Sequence, residues 1–122
     1  MSGEGNIERT SEFVHEQIAR GNPWYVGSHF EWASRPSVRR IYQRRWRYIY
    51  ECIERAQARR GPQLRLLDAG CGDGYWLARL QEIPGLTLLG VDYNELRVER
   101  ARQLVKEADV RVGDLRQFQS EE

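Results

Sequence analysis

A glycine-rich loop constrains the fold of this chain more than any other feature of its sequence. The loop spans residues 68–74, with the sequence DAGCGDG, and it continues a short apolar segment, residues 64–69. Glycines allow a tight backbone turn and let the backbone approach a ligand without an intervening side chain. The loop therefore predicts a turn from a strand into a helix, beside a bound ligand.

The segments after the loop alternate between strand and helix patterns. Apolar segments 86–92 and 110–114 predict strands, while helices are predicted over 74–82 and over 95–108, the latter with Asn94 as its N-cap. This alternation with tight turns predicts a parallel sheet in an α/β fold. Adjacent leucines at 66–67 and 88–89 point to opposite faces of that sheet, so both faces need cover.

The segment before the loop has a helical pattern instead. A first helix is predicted over 7–20, an irregular aromatic segment over 22–36, and a long helix over 38–59 with Ser37 as its N-cap. One face of the long helix is apolar, and it consists of Ile41, Tyr42, Trp46, Ile49, Ile53 and Ala56. We therefore expect a helical N-terminal cap segment, 1–60, followed by a sheet region, 61–122, within one structural domain.

Composition narrows the class of protein further. A chain of 122 residues is long enough for one small domain. Net charge is +1, but residues 1–60 hold 11 arginines against 7 acidic residues, whereas residues 61–122 hold 8 basic and 11 acidic residues. Cys52 and Cys71 lack the CxxC spacing, which favours reduced thiols in a cytoplasmic protein. No apolar run approaches a membrane span, no secretory signal is evident, and no metal site is predicted.

The spacing of the glycines distinguishes between nucleotide ligands. A dinucleotide fingerprint, G-x-G-x-x-G, would need glycine at Tyr75, and a P-loop would need a lysine followed by serine or threonine. Asp68 would repel a pyrophosphate but favours a cationic ligand. A NAD-dependent oxidoreductase stays open as a minor alternative, because Asp92 lies at the distance from the loop expected for a ribose ligand.

Three segments together resemble a known family. Residues 66–74 resemble motif I of class I (Rossmann-like) S-adenosylmethionine-dependent methyltransferases, 88–92 resemble their second motif, and 112–115 their third. The resemblance implies a three-layer methyltransferase fold with strand order 3-2-1-4-5-7-6, here truncated after the third strand. It further implies S-adenosyl-L-methionine as cofactor, S-adenosyl-L-homocysteine as product, and methyl transfer to an unidentified, small-molecule acceptor. A cofactor-binding module or fragment without turnover is the alternative.

The resemblance also implies roles for individual residues at the methionine end of the cofactor. Gly70, Cys71, Gly72 and Gly74 would offer a close backbone to the methionine part, and Asp68 would help to orient it. The other interpretation of Asp68 is a cap of the following helix. Cys71 is expected to be a small packing residue without a redox role.

At the other end of the cofactor, the resemblance assigns the ribose and the adenine. Asp92 would accept hydrogen bonds from both ribose hydroxyls, since a carboxylate offers two oxygens to a vicinal diol. Tyr93 would pack on the adenine, Asp114 would accept from its amino group, and the Leu115 N–H would meet a ring nitrogen. The alternatives are a helix-capping role for Asp92 and an ordinary strand end at Asp114.

Arginines and aromatic residues alternate in the long helix and before it. The arginines fall within thirteen residues and are Arg35, Arg39, Arg40, Arg44, Arg45 and Arg47. Arginine with aromatic residues is typical of single-stranded nucleic-acid binding. Helical spacing, however, turns Tyr42 and Trp46 towards the core, so we expect a solvated arginine face and keep a nucleic-acid methyltransferase as a second alternative. An anionic small acceptor would use the same arginines.

The acceptor side and the sheet edges complete the sequence predictions. Residues Trp24, Tyr25, His29, Phe30 and Trp32 are candidates to line an acceptor pocket, with His29 the only candidate base among them, and no catalytic residue is assigned. With three strands and right-handed crossovers, the helices are expected on one face of the sheet and strand 1 at an edge. We therefore expect a homo-oligomer, or an exchange of elements between copies, without membrane contact.

Overall fold

A computed structural model of the chain describes residue 16 and residues 33–117. The predicted helix over 7–20 and the aromatic residues Trp24, Tyr25, His29, Phe30 and Trp32 lie outside the described segment 33–117. Within that segment the elements alternate as predicted, and their order is α1 (Pro36–Arg60), β1 (Leu64–Ala69), α2 (Tyr75–Leu80), β2 (Leu86–Asp92), α3 (Glu95–Leu104) and β3 (Ala108–Val112).

Helix α1 begins earlier than its sequence pattern suggests. Pro36 occupies the first turn, where its missing N–H costs nothing and its fixed φ suits a helix, so the predicted capping role of Ser37 is wrong. Arg35 is the N-cap and makes no side-chain capping bond. The helix ends at Arg60, and Gly61 is its C-cap. The positive φ of Gly61, 94°, suits glycine, and its N–H donates to the Gln57 carbonyl at 2.9 Å.

The two short helices are shorter than predicted. Asn94 does cap α3, since its side-chain oxygen accepts the Arg97 N–H at 3.1 Å. Helix α3 ends at Leu104 rather than at 108, because β3 begins at Ala108 to pair with Leu88 of β2. Helix α2 covers only 75–80, with Gly74 in a left-handed conformation as its N-cap.

The three strands form one parallel sheet in the order β1-β2-β3, which places β1 at an edge as expected. One face packs against all three described helices. Its core consists of Ile53 from α1, Leu77 and Leu80 from α2, Val98, Ala101 and Val105 at α3, and Cys71, Leu88 and Val110 from the loop and strands. Each such aliphatic side chain contributes about 1.5–3 kcal/mol by its burial.

The opposite face of the sheet is partly exposed. Leu67 of β1 is 45% exposed, and its register partner Leu89 on β2 is half-buried. Val91, two residues further along β2 on the same face, is fully buried. The face opposite the helices is therefore exposed at Leu67 and covered at Val91. None of the helices within 33–117 is long and apolar enough to cross a membrane.

Candidate functional site

The glycine loop lies across the carboxyl ends of β1 and β2. The N–H groups of Gly70 and Cys71 both donate to the Val91 carbonyl, at 2.7 and 3.0 Å, which joins the loop to the end of β2. Gly70, Gly72 and Gly74 all have positive φ, between 56° and 89°, which other residue types rarely adopt. The loop conformation therefore depends on its glycines, as the sequence predicted.

Asp92, at the end of β2, connects the loop to the two following segments. Its Oδ2 accepts the Gly72 N–H and its Oδ1 accepts the Asn94 N–H, both at 2.9 Å. Its backbone carbonyl accepts the Gly113 N–H at 3.0 Å. A carboxylate oxygen has two lone pairs, so each oxygen of Asp92 keeps one for a ligand. The side chain thus has a structural role, and it also lines a cavity.

A cavity of about 370 Å³ lies where the loop, β2 and the end of β3 meet. Its lining residues are Gly70, Asp92, Tyr93, Gly113, Asp114, Leu115 and Arg116. Five of these seven are predicted site residues, brought together from three separate segments. Cys71, Gly72 and Gly74 are buried behind the loop surface, and Asp68 is half-buried at the end of β1, so these four do not line the cavity.

Comparison with known proteins shows what the glycine loop and the cavity resemble. A family model described as a methyltransferase domain matches residues 66–122. The matched region is 57 of the 122 residues, and this part of the chain is similar to a methyltransferase domain. This match starts with motif I, and it covers the loop and the cavity. A search of curated protein sequences returned no match.

Two solved structures, DhpI and BpumL, support the Rossmann-like fold. The DhpI–SAH complex has 16% identity and a TM-score of 0.58, over 98% of this chain and 50% of DhpI. The plantazolicin methyltransferase BpumL, with SAH and a triazolic substrate analogue, has 20% identity and a TM-score of 0.53, over 96% and 45% of the two chains. A TehB-like SAM-dependent methyltransferase from Corynebacterium glutamicum has 29% identity and a TM-score of 0.48, over 72% and 51%. The chain thus spans about half the length of these three proteins.

In the cavity wall, Asp114 is held by a residue that the sequence analysis did not single out. The Arg116 N–H donates to Asp114 Oδ1 at 3.0 Å, and the Arg116 guanidinium lies 3.1 Å from Oδ2. These hydrogen bonds hold the pKa of Asp114 below its ordinary value of 3.8. Asp114 therefore stays negatively charged at neutral pH, and Arg116 adds a positive charge to the cavity wall. An acid two residues before an arginine is the sequence signal for such a pair.

Cys71 lies within the loop and has no sign of reactivity. Its thiol is buried, and burial together with the negative charges of Asp68 and Asp92 raises its pKa to about 12. The thiolate is the nucleophilic form of cysteine, and it is scarcely populated here at neutral pH. The packing role expected for Cys71 is consistent with this environment.

Asp73 is the functional candidate that the sequence analysis missed. Its side chain is only 3% exposed, and its Oδ1 is buried without a hydrogen-bond partner among the residues described. A buried carboxylate without a donor is costly, and such an atom commonly marks a missing water, ion or ligand. The sequence signal that could have indicated Asp73 was its position as a second acidic residue inside the loop.

Helix α1 contributes an aromatic wall next to Asp73. Tyr42 of α1 is buried, packs edge-on against Tyr75 with ring centroids 5.2 Å apart, and stacks on Trp76 at 5.6 Å. Burial is the main cause of the raised pKa of Tyr42. The charge of Arg45 lowers this pKa, whereas Tyr75 and Asp73 raise it further. The expectation that Tyr42 belongs to the core is confirmed.

Proposed function

We propose that this chain binds S-adenosyl-L-methionine in the 370 Å³ cavity and takes part in transferring its methyl group to a small-molecule acceptor. The observation that carries the proposal is the Asp92 carboxylate, fixed by two backbone N–H groups and lining a cavity beside the glycine loop, in the region that is similar to a methyltransferase domain. When bound, the cofactor supplies an electrophilic methyl group on a positively charged sulfur. S-adenosyl-L-homocysteine is the corresponding product.

The residues around the cavity fit the ribose and adenine of that cofactor. The free lone pairs of Asp92 suit the ribose diol, and Tyr93, which is 39% exposed, offers an aromatic surface to the adenine. Asp114 suits the adenine amino group as an acceptor, and the Leu115 N–H suits a ring nitrogen. Hydrogen bonds from Arg116 to Asp114 hold that acceptor in place.

The residues of the loop fit the charged end of the cofactor. Asp68 and Asp73 are acidic, and the guanidinium of Arg97 lies beside the loop, 3.7 Å from where a Cβ atom at Gly72 would lie. Two acids against one arginine favour a cation over a phosphate. The unpartnered Oδ1 of Asp73 has the chemistry to accept from an ammonium group. Gly70 brings the loop backbone to the cavity wall, with Cys71, Gly72 and Gly74 buried directly behind it.

Isothermal titration of the chain with S-adenosylhomocysteine tests the proposal. Asp92→Ala removes the ribose acceptor, so binding should fall by at least about 100-fold, since hydrogen bonds to a charged group contribute about 1.5–3 kcal/mol each. Asp109→Ala is the matched control, because Asp109 is an exposed acid that pairs with Arg111 outside the cavity. Unchanged affinity in Asp92→Ala, with the fold intact by circular dichroism, would contradict the site assignment.

Turnover separates an enzyme from a cofactor-binding module. Methyl transfer needs an acceptor nucleophile held in line with the methyl group. We expect the chain to release S-adenosylhomocysteine when incubated with S-adenosylmethionine and a panel of small acceptors. Cofactor binding without product for any acceptor would favour the module instead.

We also propose that copies of the chain associate, and that they work in the cytoplasm. The exposed Leu67 and the edge position of β1 support association, since an unpaired edge strand is a template for pairing. Free Cys52 and Cys71 suit a reducing compartment. Light scattering at micromolar concentration should give at least a dimer, and a clean monomer would contradict the association.

A further inference from the structure

The N-terminal half of α1 carries an uncompensated positive charge. Residues 36–50 contain five arginines and no acidic residue, and the first acid of the helix is Glu51. The five are all exposed, and within 33–117 none of them makes an ion pair; they are Arg39, Arg40, Arg44, Arg45 and Arg47. Like charges four residues apart destabilise a helix. The repulsion between these arginines therefore destabilises the helix, and a bound anionic ligand would relieve that repulsion.

Two adjoining cavities follow these arginines along α1, and we call them together the arginine groove. One has a volume of about 170 Å³ and is lined by Arg40, Gln43, Arg44 and Arg47. The other has a volume of about 350 Å³ and is lined by Arg44, Arg45, Tyr48, Ile49 and Trp76. Arg44 belongs to both, so the groove is continuous along one side of the helix.

The two parts of the arginine groove differ in chemistry. The smaller cavity is lined by three arginines and a glutamine, whose guanidinium groups suit phosphate oxygens. The larger cavity adds apolar and aromatic surface, because Tyr48 is 67% exposed and Ile49 and Trp76 are half-buried. The exposed ring of Tyr48 beside guanidinium groups favours stacking of a flat, unpaired base, whereas the Trp76 ring already stacks on Tyr42 and Trp46. An anion-binding part therefore adjoins a ring-binding part.

We propose that the arginine groove binds single-stranded nucleic acid. Phosphates lie against Arg40, Arg44 and Arg47, and a base packs against the exposed ring of Tyr48. Arg40 and Arg47 are about 10 Å apart along the helix axis, which exceeds the room that one phosphate needs. A chain of nucleotides fits this length better than a phosphorylated small molecule. No residue of the groove lines the cofactor cavity, so the inference stands independently of the proposed methyl transfer.

Fluorescence anisotropy with a labelled ten-nucleotide oligothymidylate tests the groove. We expect binding that weakens with salt, with a slope of log K against log salt near −2, since three phosphates contribute about −0.7 each. Arg44→Gln should weaken binding severalfold and reduce the magnitude of the slope by about 0.7. Arg59→Gln is the matched control, because Arg59 is exposed on the same helix and lies outside the groove.

The ring-binding part has its own test. Tyr48→Ala should weaken the oligothymidylate by about tenfold, whereas a duplex of the same length should bind the wild-type chain more weakly than the single strand. Absence of salt-dependent binding, or equal losses in Arg44→Gln and Arg59→Gln, would overturn the proposal. Displacement of the oligothymidylate by equimolar pyrophosphate would do so too, since it would indicate an inorganic-phosphate site. Thermal melting and S-adenosylhomocysteine titration of each variant report separately on folding and on the cofactor site.

Discussion

The glycine loop and helix α1 show two different relations between charge and structure. Around the loop, the acidic Asp92 is buried and fixed by backbone N–H groups from two segments. On α1, five arginines are exposed and make no ion pair within the described segment 33–117. The charged group at the loop therefore takes part in hydrogen bonds that hold the fold together, whereas the charged groups on α1 lie at the surface. Substitutions at the loop should change stability far more than substitutions on the arginine face.

The largest difference in stability should come from Gly90→Ala compared with Gln43→Ala. A Cβ atom at Gly90 would lie 2.6 Å from Leu77 Cδ1 and 3.0 Å from Cys71 Sγ, so the core beneath the loop would be overpacked. We expect Gly90→Ala to lower the free energy of unfolding by about 1–3 kcal/mol in urea titration. Gln43→Ala, on the exposed side of α1, should change it by less than about 0.5 kcal/mol. Equal effects would remove the contrast between the two regions.

Asp73→Asn should change stability less than Gly90→Ala, and it should raise rather than lower the free energy of unfolding. An amide keeps the shape of the side chain and removes an uncompensated buried charge, so we expect an increase in unfolding free energy of up to about 1 kcal/mol. The same variant should bind S-adenosylhomocysteine about tenfold more weakly, because an ammonium loses a charged acceptor. Asp109→Asn, at an exposed acid, is the control. Loss of stability without weaker binding would assign Asp73 a structural role only.

The smallest effect should be the pH dependence at Asp114. Its folded pKa lies below the ordinary value of 3.8, so its contribution to stability is present above that value and is lost as pH falls through the folded pKa. Arg116→Gln should bring the pKa of Asp114 back towards 3.8, as followed by NMR titration of the carboxyl carbon. Because the Arg116 partner is exposed to solvent, and Asp114 is ionised at neutral pH in both proteins, the free energy of unfolding near neutral pH should barely change. A pKa that is the same in both proteins would contradict the pairing.

Local signals made much of the fold predictable. The bounds of β1 and β2 follow from their apolar runs, and the cap at Asn94 follows from its side chain. The predicted start of α1 was wrong because the helix begins at Pro36, and Ser37 lies inside it rather than capping it. The start of β3 at Ala108 depends on pairing with Leu88, which no local pattern of the third strand reveals.

The sequence predicted that Asp92 and Asp114 lie close to the loop, but it did not predict the hydrogen bonds that connect them to their neighbours. The motif positions predicted Asp92 and Asp114 near the loop, because the ends of parallel strands meet at one edge of a sheet. The hydrogen bond from Gly72 to Asp92 joins residues twenty positions apart, and it depends on the tertiary fold. The burial of Asp73 likewise depends on packing around the loop, which its own sequence neighbours do not determine.

Competition between two nucleotides tests the assignment of the loop most directly. S-adenosylhomocysteine and NADH share adenine and ribose but differ in the group that faces the glycine loop. The acidic loop, with Asp68 and Asp73 and no lysine or arginine, should bind S-adenosylhomocysteine with saturable heat in a calorimetric titration. A tenfold molar excess of NADH should leave that affinity unchanged. Binding of NADH without binding of S-adenosylhomocysteine would contradict the cofactor assignment.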